Sequence, residues 1–88
     1  IVLLLSTYLV LPSSAQESDP AVLFFKNGEG FRAQGEYRQA ITEYEKALAI
    51  DNTRPIIFYW KGICHYQLKE HDKGVEDLEH AIDINPNY

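Results

Sequence analysis

The chain of 88 residues has one cysteine, one tryptophan and no methionine. A single thiol excludes an internal disulfide and any zinc site built on cysteines. Positive charge is scarce: 8 Lys and Arg stand against 13 Asp and Glu, for a net charge of −5. That balance gives no global attraction to nucleic acid or anionic lipid, so neither is an expected partner. No apolar run approaches the roughly 20 residues that a bilayer span needs. Charge is missing altogether from the first 16 positions, and every charged side chain lies from Glu17 onward.

The uncharged stretch has its own pattern. Ile1–Leu11 (IVLLLSTYLVL) is apolar apart from Ser6 and Thr7, and Pro12 ends it. Ser13 and Ala15 are small and spaced as a signal peptidase requires, which implies a secretory signal peptide over residues 1–15, cut after Ala15. Residues 16–19 then form a linker. The charged leader and initiating Met of such a signal are absent, so the true start is expected upstream. The implied address is export, to a periplasm, a secretory lumen or the outside, with no membrane association beyond the signal itself. A buried core segment at the terminus is the alternative reading.

From Pro20 onward the sequence repeats with a period of 34 residues. Gly28 answers Gly62, Phe24 answers Phe58, Ala40 answers Gly74, Ala47 answers Ala81, and Leu48 answers Ile82. Apolar residues fall at helical spacing in each copy, as Ile41, Tyr44 and Leu48 and as Val75, Leu78 and Ile82. Each unit reads as two helices joined by a tight turn, over 20–34 and 37–50, then 54–68 and 71–84. The units themselves span 20–53 and 54–87. Ser18-Asp19-Pro20 and Thr53-Arg54-Pro55 start helices, Gln34-Gly35-Glu36 supplies a left-handed stop, and Asn85-Pro86 ends the last helix. Lys69-Glu70-His71-Asp72 is a weaker stop. Small residues at Gly28, Gly62, Ala40, Gly74, Ala47 and Ala81 allow close helix approach. Phe24, Phe31, Tyr37, Tyr44, Phe58, Trp60 and Leu78 are candidates to fill the seams.

These residues resemble the tetratricopeptide repeat. The first unit supplies Phe24, Gly28, Phe31, Ala40, Tyr44 and Ala47, with Asn27 where the motif has Leu and Asn52 where it has Pro. The second supplies Phe58, Gly62, Gly74, Leu78, Ala81 and Pro86, with Lys61 for the Leu and His65 for an aromatic. The resemblance implies an all-α fold of antiparallel helix–turn–helix repeats stacked as a right-handed superhelix, an α-solenoid fragment. It also implies that the first helix of each unit lines a concave groove for a protein or peptide partner. Carried over by position, the groove would be Val22, Phe25, Glu29 and Arg32 with Ile56, Tyr59, Ile63, Tyr66 and Gln67. Its aromatic share suits apolar side chains of a ligand, because aromatics bury much area for few rotatable bonds. The same residues could instead face another helix of a longer chain. A subset of the family grips C-terminal carboxylates with Lys and Asn one turn apart; Phe25 and Glu29, then Tyr59 and Ile63, stand at those positions, so that clamp is absent.

Apparent chemical motifs dissolve in the repeat register. Gly28-Glu29-Gly30-Phe31-Arg32-Ala33 imitates a dinucleotide fingerprint, with Asp51 as its acidic residue. Glu29 would repel the pyrophosphate, Gly35 would break the receiving helix, and the second copy lacks the second glycine. His65 and His71 fall at the seam positions of Phe31 and Tyr37, so they read as packing residues, and His80 replaces an exposed Lys46. Cys64 takes a small buried position, without an activating neighbour. Glu43, Glu45, Glu76, Asp77, Glu79 and Asp83 read as a solvated outer surface. No catalytic residue, metal or cofactor is expected. Two repeats make a small core, so further repeats or self-association are expected. The function expected is a non-catalytic, exported protein-interaction scaffold; the alternative is an accessory segment of a larger exported enzyme.

Overall fold

A computed structural model describes residues 19–88, so the signal-peptide reading and most of the linker lie outside the described residues. Four helices follow one another: α1 (Pro20–Ala33), α2 (Tyr37–Ile50), α3 (Pro55–Gln67) and α4 (His71–Ile84). No strand occurs among the described residues. Helix α1 packs along α2, α3 along α4, and α3 also against α2, which stacks one helical hairpin on the other.

Local chemistry sets the helix limits. Pro20 opens α1, and the Asp19 carboxylate accepts from the Ala21 amide at 3.0 Å. Pro55 opens α3 without a side-chain cap. Asp51 turns the chain ahead of it, accepting from the Thr53 amide at 3.0 Å and from Arg54 Nε at 2.9 Å. The two intra-hairpin turns are the same turn. Gly35 has φ 78° and Lys69, 34 residues on, has φ 66°. In one, the Glu36 amide donates to the Phe31 carbonyl at 2.9 Å; in the other, Glu70 donates to His65 at 2.8 Å. Lysine therefore occupies the left-handed position that favours glycine.

The core lies where α2 meets its neighbours. Ala40, Ile41, Tyr44, Ala47, Ile57 and Cys64 form one buried cluster, bordered by half-buried Phe24, Phe25, Phe31, Tyr37, Leu48, Trp60 and Leu68. Burying Ile57 alone contributes about 1.5–3 kcal/mol. Close approach explains Gly28 and the pair Gly62 and Gly74. A Cβ on Gly28 would stand 2.5 Å from the Tyr44 ring, and one on Gly62 would stand 3.0 Å from the Gly74 carbonyl. Of the expected seam residues only Tyr44 is fully buried, and Ile57 joins it although its sequence context does not single it out. The matched trios also part company: Ile41 and Tyr44 are buried, whereas Val75 and Ile82 are exposed.

One surface assignment needs correction. Asp77 is not solvated but buried, 5 % exposed, and its carboxylate lies 3.1 Å from Lys61 Nζ and 3.6 Å from His65 Nε2. Lys61 stands where the repeat motif has Leu, so its ammonium sits in a seam and requires an acid from the facing helix. At the matching positions of the first repeat Asn27 reaches Glu43 at 3.4 Å, and Glu43 takes its counter-ion from Lys46 of its own helix at 2.9 Å. His65 is buried as expected, but as a polar link rather than apolar filling: Nδ1 lies 2.9 Å from Glu70. Glu70 is also met by Arg38 of α2 at 3.2 Å. Its hydrogen bond with His65, then that with Arg38, draws its pKa down to about 2.

Candidate functional site

The groove positions fall on α1 and α3, the first helices of their hairpins. Val22, Phe25, Glu29 and Arg32 on α1 are half-buried, as are Tyr59 and Ile63 on α3. Ile56 and Tyr66 are exposed at 41 % and 38 %, and Gln67 is exposed as well. Neither set belongs to the closed core, so part of each side chain stays at the surface.

Aromatic rings give the site its shape. Phe25 packs on Tyr44 with ring centres 5.7 Å apart. Tyr59 meets Trp60 edge-on at 4.9 Å and Tyr88, beyond α4, at 5.7 Å. Tyr66 leans over the small Gly74 and meets the edge of His71 at 5.0 Å. A side chain at residue 74 would collide with the Tyr66 ring, since a Cβ there would stand 2.7 Å away. The small residue on α4 thus sets where a groove residue of α3 can lie.

Arg32 joins the hairpins. Its guanidinium lies 3.8 Å from the ring centre of Trp60, a cation–π contact between α1 and α3. Its Nη2 also donates to Glu29 at 2.8 Å, and its Nε to the same carboxylate at 3.1 Å and to the Tyr44 hydroxyl at 3.3 Å. The Tyr44 hydroxyl in turn donates to Glu29. Burial would raise the Glu29 carboxyl, but the hydrogen bonds from Arg32 and Tyr44 outweigh it and hold its pKa below the usual range. Glu29 raises the Arg32 pKa further, and burial raises that of Tyr44. The charges of the two groove residues are therefore spent on each other. Trp60 and the Tyr44 hydroxyl belong to this arrangement without having been marked as groove residues. The sequence marked Trp60 as a seam residue, and nothing in its spacing pointed to a contact with Arg32, which comes from another helix.

Cys64 is fully buried, and burial pushes its thiol up to about 11, so it is a packing group and not a nucleophile. His80 is exposed and stacks on Phe58 at 5.1 Å, in the register of Lys46 over Phe24 at 5.6 Å. His71 is exposed rather than buried in a seam, and only its ring edge meets Tyr66. No group of three His, Cys, Asp or Glu among the described residues is placed to hold a metal ion. No helix among them is long and apolar enough to cross a membrane.

Comparison with known proteins gives consistent neighbours. A family model described as TPR repeat matches residues 28–69, and one described as tetratricopeptide repeat matches residues 55–88. The photosystem I assembly protein Ycf3 of Rippkaea orientalis is 31 % identical over 80 residues, covering 88 % of this chain and 46 % of the relative. The small glutamine-rich tetratricopeptide repeat-containing protein 2 of Saccharomyces cerevisiae is 36 % identical over 61 residues, covering 69 % of this chain and 18 % of the relative. This chain thus spans about half the length of the first relative or less. Among solved structures, the second TPR of Spaghetti (RPAP3) bound to the HSP90 peptide SRMEEVD aligns with a TM-score of 0.77 at 21 % identity, over 86 % of this chain and 70 % of that one.

Proposed function

The chain belongs to the tetratricopeptide-repeat family, and we propose that it is a non-catalytic, exported protein-interaction module that holds an apolar partner segment in the groove of α1 and α3. The observation that carries this reading is the half-exposed file of Phe25, Tyr59, Ile63 and Tyr66 beside an ion pair that is already closed. Of the nine groove positions only Glu29 and Arg32 are charged, and they satisfy each other. An acidic tail such as the peptide bound by the RPAP3 repeat would find no free cation at these positions. Aliphatic or aromatic side chains would find rings to pack on.

Panning a random peptide library on the full chain tests the groove. Selected peptides should be apolar, and Tyr59→Ala or Ile63→Ala should each weaken them about tenfold, the effect of losing an anchor of about 1.4 kcal/mol. Hits that bind both variants as tightly as the parent would remove the groove assignment. Export rests on the Ile1–Ala15 pattern and has its own test. Expressed with its native upstream sequence, the protein should be recovered outside the cytoplasm with Gln16 as its first residue; a cytoplasmic, uncut product would refute it.

A further inference from the structure

The two hairpins meet through a contact whose halves recur, uncovered, on the outer helices. Within the molecule, α2 and α3 bring Ile41 and Ile57 into one cluster, at 4 % and 1 % exposure. A shift of 34 residues carries Ile41 to Val75 on α4, which is 41 % exposed, and half-buried Leu48 to Ile82, which is 50 % exposed. The shift in the other direction carries Ile57 to Leu23 on α1, which is 44 % exposed. It also carries the buried Cys64 to Gly30, where an added Cβ would meet nothing within 4 Å. Helix α4 thus presents the surface of α2, and α1 presents that of α3, each without a cover among the described residues.

Charge favours joining these two faces to each other. Exposed Asp72, Glu76, Glu79 and Asp83 outnumber the exposed Lys73 and make α4 acidic, so packing α4 on its own copy would bring like charges together. On α1 the Glu29–Arg32 pair is closed, and exposed Lys26, one turn from Leu23, is the remaining charge. We propose that α4 of one molecule receives α1 of a second copy, head to tail, repeating between molecules the α2–α3 contact within each. The surface is separate from the concave groove and uses none of its residues. A head-to-tail contact of this kind does not close on itself, so the copies form open strings whose length grows with concentration.

Sedimentation equilibrium on the full chain at rising concentration tests the proposal. The parent should pass from one chain through two to larger species. Leu23→Glu and Val75→Glu should each stay at the mass of one chain, with helical circular dichroism unchanged because both positions are at the surface. An equimolar mixture of the two should form a two-chain species and stop there, because one variant keeps its α4 face and the other its α1 face. Lys26→Glu gives a second α1 probe and should weaken association at low salt more than at high salt. A parent that stays monomeric throughout overturns the proposal. So does a mixture that fails to pair, or a Leu23→Glu variant that still dimerises, which would mean α4 packing on α4.

Discussion

Gly28 and Gly30 lie in one helix, two residues apart, and the structure gives them opposite responses to the same substitution. An alanine in place of a helical glycine contributes about 0.5–1 kcal/mol through the backbone alone. At Gly30 nothing opposes that gain, since the new methyl meets nothing within 4 Å. At Gly28 the methyl would stand 2.5 and 2.7 Å from two carbons of the Tyr44 ring. The ring cannot step aside: Tyr44 is fully buried, Phe25 packs against it, and Glu29 and Arg32 hold its hydroxyl. Overpacking of this kind costs about 1–3 kcal/mol, which exceeds the backbone gain. Gly28→Ala should therefore lose about 1–2 kcal/mol and Gly30→Ala should gain up to about 1. Urea unfolding followed by circular dichroism reads both. With a slope of about 1 kcal/mol per molar for so small a protein, the midpoints should separate by about 2 M. A Gly28→Ala midpoint at or above that of the parent would refute the close approach of α1 to Tyr44.

Three further outcomes follow from side chains already described. Lys69→Gly should stabilise the protein by up to about 1 kcal/mol in the same assay, because it relieves a side chain at positive φ; a loss would show that the lysine offsets its own strain. Asp77→Ala should cost about 3 kcal/mol, since it leaves the Lys61 ammonium in a seam without a counter-ion, and Lys61→Met combined with it should recover most of the loss. Glu70 has its folded pKa depressed from 4.5 to about 2, so its contribution is full above pH 4.5 and disappears as pH falls through 2. Melting curves across that window should fall less steeply for Glu70→Gln than for the parent, and equal slopes would refute the role of the His65 and Arg38 contacts.

The helices were legible because their signals are local. Periodicity, Pro20, Pro55 and Gly35 locate all four to within a residue or two. The turn at Lys69 was not legible from its own residue, because nothing in a lysine side chain announces a left-handed backbone; only its register with Gly35 does. Asp77 was misread for a related reason. An acid on a charged helix defaults to the surface, and the clue lay 16 residues earlier, in Lys61 at a position the repeat reserves for Leu. His71 shows the limit of register, since it shares a repeat position with Tyr37 but not its burial. The groove positions came from the repeat resemblance alone; in the structure six of the nine are half-buried and Ile56, Tyr66 and Gln67 are exposed. The pairing of Glu29 with Arg32 could be read from their i, i+3 spacing. The Tyr44 hydroxyl and Trp60 could not, because they reach Arg32 from other helices.

The contact between Arg32 and Trp60 has a practical consequence. Trp60 is the sole indole of the chain, and it lies under a guanidinium from one hairpin and beside a groove tyrosine of the other. Its fluorescence is therefore an optical gauge built into the protein. Parting of the hairpins lifts the cation from the ring, and a segment settling beside Tyr59 changes the polarity on its other side. The two events act on the emission through different neighbours, and Arg32→Gln should remove the cation's part of the signal. Docking and fraying can thus be followed in unlabelled protein, each by its own spectral change.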